Sequence, residues 1–231
     1  SLATKMAASG ADVLAFLTDL AARARPFAQA EYNQVRQFAL AEDGIETLEP
    51  WDVSYYSERL RESALGLDMQ ALRSYFPVHR VTEGLFAILN RLFGIDVKPL
   101  PDADVWHSDV NAYQVNDETG AAIGYFYLDL YARPGKRGGA WMDECRARHH
   151  LNNQRQLPVA YLTCNFAPPF GDKPALLTHD EVVTLFHETG HGMHHLLTEV
   201  ELPSIGGING VAWDAVELPS QLLENWCWET E

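Results

Sequence analysis

Apolar residues recur at steps of three and four through ADVLAFLTDLAARARPFAQAEYNQVRQFAL, residues 11–40. Val13, Phe16, Leu17, Leu20, Ala21 and Ala24 share one face at helical spacing. Pro26 has no N–H to give a helix and is expected to kink or break this one. EDGIETLEPWD, residues 42–52, has the turn residues of a connector. DVSYYSERLRESALGLD (52–68) and VTEGLFAILNRLFGI (81–95) then predict two further helices, the second ending at Gly94. Residues 1–95 are thus expected to be helical. The period changes near residue 100. PLPDADVWHSDVNAYQVND reads as strand and turn, and from Ile123 to Tyr131 the residues Tyr125, Tyr127 and Asp129 alternate with Phe126, Leu128 and Leu130. LPVAYLTCNFAPPF, residues 157–170, predicts another strand, closed by Pro168 and Pro169. The pattern predicts an α+β fold, predominantly α-helical, with a small sheet in the 100–170 region. It divides as 1–99, helical, and 100–231, sheet followed by helices, within one larger domain.

The most informative helix is LLTHDEVVTLFHETGHGMHHLL, residues 176–197. Thr178 followed by Glu181 makes a capping box, and Asp180 and Glu181 suit the positive end of the helix dipole. Val182, Leu185, Phe186, Met193, Leu196 and Leu197 can face a core. His187 and His191 lie four apart, so both imidazoles project from one face, where they can bind one tetrahedral zinc ion. Glu188, next to the first histidine, can reach a water on that metal; the run is HExxH. The bland reading is a solvated polar face. Against it, Gly190 and Gly192 each cost about 1 kcal/mol of helix propensity, which points to something packed close against the backbone. A purely structural metal is the other alternative, but such sites favour cysteine and fill all four positions.

A catalytic zinc needs a third protein ligand. His194 is near the same face, but one straight helix does not close three imidazoles round one ion. It is read as supporting a ligand or facing substrate, with plain packing as the alternative. His195 is structural or exposed. NGVAWDAVELPSQLLENWCWE predicts a second helix starting near Asp214 or Leu218, with Pro219 in its first turn. Glu217 and Glu224, seven apart, share a face, and spacing does not choose between them. The glycine-rich TEVELPSIGGINGVAW is long enough to turn the chain back.

The segments LFHETGHGMHHLL, VAWDAVELPSQLLENWCWE and FYLDLYARPGKRGGAW resemble the M3, or thimet-type, zinc oligopeptidases, above all their bacterial branch. With the helical front, the resemblance covers nearly the whole chain. It implies a zincin-like (gluzincin) catalytic region and a metalloendopeptidase acting on short peptides. It implies one zinc ion per chain, held by His187, His191 and Glu217, with Glu188 as the general base. Glu224 then becomes a carboxylate that orients a ligand histidine, or an ordinary helix-face glutamate. A sheet edge near Gly138, Gly139 and Ala140 could hold the peptide main chain, unless these residues form only a hairpin turn. The family carries a later segment with a histidine and tyrosines, and no tyrosine follows Tyr161 here. CWETE stops inside an expected helix, so the chain reads as a piece of a longer protein. A catalytically silent fragment that binds metal and peptide is the alternative function.

Bulk properties narrow the partners. The formal net charge of −15 argues against nucleic acid or an anionic membrane. No apolar run approaches the roughly 18 residues of a membrane span. Three cysteines, widely spaced and without a CxxC, suggest a reducing compartment and small buried apolar roles. With no basic-then-apolar leader at the start, the cytoplasm is the expected location.

Overall fold

The computed structural model describes residues 7–66, 69–171 and 173–229. The expected helical start at residues 1–6, the last two residues of the 52–68 helix and the final residues of CWETE lie outside these ranges. The chain divides into two compact units, residues 1–69 and 70–231.

The first unit is built on α1 (Gly10–Asp43) and α2 (Pro50–Leu65). Pro26 lies inside α1, which continues past it for 34 residues in all, so the expected break does not occur. The proline removes one internal hydrogen bond, but propagation from the already formed turns on either side carries the helix past it. The apolar core of this unit is small: Val35, Ala39, Leu48 and Tyr56. The earlier apolar positions Val13, Phe16, Leu17 and Leu20 are exposed.

The short helix α3 (Met69–Leu72) begins at the last residue of the first unit; the second unit carries, among the described residues, α4 (Val78–Phe93), seven strands, α5 (His179–Leu196) and α6 (Leu218–Glu224). Helix α4 ends at Gly94 and β3 (Ala122–Tyr131) covers the alternating run, both as expected. Strands β1 (Asp96–Pro99), β2 (Asn111–Asn116) and β3 form an antiparallel meander. Strand β7 (Val159–Phe166) joins β3 in parallel, and β4 (Trp141–Arg146) pairs antiparallel with β7. The five-stranded order is β1-β2-β3-β7-β4, which puts β4 on an edge. A separate hairpin, β5 (His149–Leu151) with β6 (Gln154–Gln156), leads from β4 to β7.

Phe126 and Leu128 of β3, and Ala160, Leu162 and Cys164 of β7, form the core with Leu85 and Leu89 of α4 and Leu185, Met193 and Leu196 of α5. This burial seats α5 on the sheet beside β4. The other sheet face is polar and aromatic. Trp106 packs 5.3 Å from both Tyr127 and Tyr161, and its Nε1–H donates to Asp129 at 3.1 Å. Asp129 is buried, pairing with Arg133 at 2.6 Å and Lys136 at 2.8 Å. Burial raises its carboxyl pKa, but those hydrogen bonds and charges win and hold it at about 2. The three cysteines are free; Cys164 is buried, Cys227 half-buried and Cys145 exposed, so the expected buried role fails for Cys145. It sits on the edge strand β4, where no second layer covers it. No described helix is long and apolar enough to cross a membrane.

Candidate metal centre

Helix α5 starts with the expected reciprocal cap. The Glu181 N–H donates to Thr178 Oγ1 at 3.1 Å, and the Thr178 N–H donates to Glu181 Oε2 at 2.7 Å. Two turns on, His187 and His191 stand with ring centroids 4.9 Å apart. Glu217 comes from the residue before α6. Its Oε2 lies 3.0 Å from His191 Nε2 and 3.2 Å from His187 Nε2. Ligand atoms of His187, His191 and Glu217 all lie within 4.8 Å of one another, and they form the one such group among the described residues. Ligands on a tetrahedral zinc at about 2.0–2.1 Å would stand roughly 3.3–3.4 Å apart, so this spacing is close to what an ion needs.

Two features bring Glu217 there. Gly190 has no side chain, and the backbone of α6 occupies the space: a Cβ on Gly190 would fall 2.5 Å from the Pro219 carbonyl oxygen and from Ser220 Cα. Fully buried Ser220 then aims the carboxylate, its hydroxyl 2.9 Å from both Glu217 Oε2 and the Glu217 carbonyl. Gly192 meets Leu162 of the sheet in the same way, at 2.8 Å from a methyl carbon. The paired glycines thus let α5 lie against α6 on one side and β7 on another.

Glu224, one turn further along α6, lies with Oε1 2.6 Å from His187 Nδ1. A carboxylate accepts, so Nδ1 carries the proton in neutral His187. Its Nε2 then presents a lone pair to the Glu217 carboxylate 3.2 Å away. Two acceptors face each other there, an arrangement that asks for a cation between them. The donor set, two imidazoles and a carboxylate, suits zinc. Burial lowers the His191 pKa and favours the neutral ring that ligates metal. Burial raises Glu217, but the Ser220 hydroxyl and the two histidines outweigh it and keep the carboxylate ionised.

Glu188 is 6% exposed and points beside this group. Burial raises its pKa, against the neighbouring His187 ring and the Met142 backbone N–H, which pull it down. That balance moves a carboxyl toward the range of a working proton acceptor. His194 is outside the converging trio; it lines an apolar cavity of about 320 Å³ with Phe93, Met193, Leu197, Leu218 and Leu222, and its Nδ1 is buried without a partner among the described residues. Gly138, Gly139 and Ala140 lead directly into edge strand β4, and Asn165 ties this approach by donating to the Arg137 and Gly139 carbonyls at 2.8 and 2.6 Å. His195, left open between structural and exposed, is fully buried. Ser220 was not picked out from sequence, although a serine three residues after a candidate ligand is a short-range signal that could have found it.

The model of peptidase family M3 matches residues 1–231. Oligopeptidase A of Escherichia coli is 55% identical over the whole chain. A probable cytosolic oligopeptidase A of Arabidopsis thaliana is 44% identical over the whole chain, and the dipeptidyl carboxypeptidase of E. coli is 36% identical over 97% of it. The chain spans about a third of these relatives' length: 34% of the two oligopeptidases and 33% of the carboxypeptidase. With a match running from end to end, the chain belongs to peptidase family M3.

Proposed function

We propose that this chain carries the catalytic zinc site of a metalloendopeptidase that hydrolyses internal bonds of short peptides. The observation that carries the proposal is the convergence of the His187 and His191 Nε2 atoms on the Glu217 carboxylate, with buried Glu188 alongside. His187, His191 and Glu217 hold one zinc ion. When bound, the ion lowers the pKa of a water toward about 7 and polarises the scissile carbonyl. Glu188 takes the proton as water attacks and passes it to the leaving amine. Glu224 holds the His187 ring through its Nδ1–H, and Ser220 holds the Glu217 carboxylate. An α5-type helix seated on a sheet with an edge strand beside it fits a zincin-like region. Among the described residues β4 pairs with β7 alone, so its outer edge can take a peptide main chain by strand addition, with Gly138, Gly139 and Ala140 at its entrance. The relatives named as oligopeptidases and as a carboxypeptidase support a peptide substrate. Three free cysteines suit the cytoplasm.

A second reading is that the chain holds metal and peptide without turnover. Turnover of an internally quenched oligopeptide separates the two. The enzyme reading expects cleavage that a chelator abolishes, zinc restores and Glu188→Gln removes while zinc remains bound. Zinc and peptide binding with no cleavage supports the silent reading. Cleavage that survives in Glu188→Gln sinks the proposed mechanism.

A further inference from the structure

We propose that Glu144, His195 and Asn209 are positioning residues: together they clamp edge strand β4 and the loop that delivers Glu217 to the metal-binding helix. The proposal rests on Glu217 being a metal ligand, as set out above.

The loop in question, residues 197–217, has neither α-helix nor strand, and it is long for a connection inside a compact unit. An ion site at its far end needs it pinned. Isolated turns tighten it locally, such as the Asn209 N–H to the Gly206 carbonyl at 3.1 Å and the Leu218 N–H to the Ala215 carbonyl at 3.1 Å. They do not tie it to the body. Glu201 pairs with Arg155 at 3.3 Å and Arg148 at 3.9 Å near the start of the loop, and Glu144 and His195 hold its middle. Asn209 Nδ2 donates to Glu144 Oε2 at 2.5 Å, across 65 residues of chain. Gly207 lies against His195 so closely that a Cβ there would meet His195 Nδ1 at 2.7 Å, and its φ of +60° already favours glycine.

His195 is fully buried, one turn after His191 on α5. Its Nε2 lies 3.0 Å from the Arg146 carbonyl, which can only accept, so Nε2 carries the proton. One imidazole therefore bonds the end of the edge strand while its other side supports the loop. Glu144 Oε2 lies 3.7 Å from His195 Nδ1, which has no hydrogen-bond partner among the described residues, so Glu144 holds the loop through Asn209 and not through the imidazole. Strand β4 is thus held at two points: the Glu144 side chain accepts from Asn209 of the loop, and the Arg146 carbonyl accepts from His195 of α5. The strand offered for a peptide and the loop carrying a ligand are thus referred to one helix.

A cut clamp frees the middle of the loop and lowers the fraction of molecules with Glu217 in place. Zinc affinity should fall about three- to tenfold, the scale of one lost loop constraint and one hydrogen bond. The test is zinc affinity by chelator competition, with metal-free thermal midpoints, on the full 231-residue chain. Glu144 is exposed and Asn209 half-buried, so neither substitution threatens the core. Glu144→Ala and Asn209→Ala should each weaken zinc with little change in the metal-free midpoint. Glu144→Gln, which still accepts from Asn209, should stay within about twofold of the parent. Placed on Glu217→Ala, Glu144→Ala should cost nothing further, because the ligand it positions is gone. The clamp is overturned if Glu144→Ala binds zinc like the parent, if Glu144→Gln is as weak as Glu144→Ala, or if the loss persists on Glu217→Ala. If the parent binds zinc no better than Glu217→Ala, the ligand assignment falls and the clamp falls with it.

Discussion

Gly190→Ala should uncouple metal binding from folding. The added Cβ would stand 2.5 Å from the Pro219 carbonyl oxygen, 2.5 Å from Ser220 Cα and 2.9 Å from the Pro219 carbonyl carbon. Ordinary contacts between such atoms are about 3.5 Å, so the first turn of α6 must withdraw by about 1 Å. All three atoms are backbone, and none can rotate aside. Overpacking of this kind costs about 1–3 kcal/mol, while replacing an interior helical glycine by alanine returns about 1 kcal/mol. The metal-free chain should therefore lose only about 0–2 kcal/mol. The ion site has less tolerance, because ligand distances hold to about 0.2 Å. Glu217 sits two residues before Pro219 and moves with it, so zinc affinity should fall on the order of 100-fold or more. Gly192→Ala is the control. Its Cβ would meet Leu162 Cδ2 at 2.8 Å, the end of a side chain that can change rotamer, so zinc binding should stay within a few fold. Chelator competition on both variants, with metal-free thermal melts, makes the comparison. Parent-like zinc affinity in Gly190→Ala, or an equal loss in Gly192→Ala, would refute the reasoning.

Other outcomes follow from the same contacts. Glu224→Ala removes the acceptor 2.6 Å from His187 Nδ1 and should weaken zinc about 10- to 100-fold, read by the same competition. Asp129→Ala should destabilise the second unit by about 3 kcal/mol in urea titrations, since it strands Arg133 and Lys136. Asp129 is held at about 2 rather than 3.8, so its stabilisation is complete above about pH 4 and is lost as pH falls toward 2. The gap between parent and Asp129→Ala should narrow over that window, and a constant gap would mean that charge is not the cause. Pro26→Ala should raise the thermal midpoint of the first unit, because an interior proline costs about 3 kcal/mol; no rise would place that cost elsewhere.

Periodicity and local chemistry were enough for much of this protein. The alternation through β3, the cap at Thr178 and Glu181, the end of α4 at Gly94 and the spacing of His187 and His191 are all short-range, and each was legible in the sequence. The glycines flanking His191 also signalled close packing, without saying against what. Pro26 does not end α1, because a local rule about one residue yields to a long helix formed on both sides of it. Spacing alone left Glu217 and Glu224 as equals. In the structure they meet different atoms of one ring: Glu217 faces His187 Nε2 and Glu224 faces Nδ1. That difference depends on the depth to which α6 settles against Gly190 and on the aim of Ser220, contacts across about 30 residues of chain. The sequence by itself determined which side chains could ligate a metal, because that is a matter of residue type and helical spacing. Only the tertiary structure decided which of them converge, because convergence is set by backbone approach between segments that no local pattern encodes.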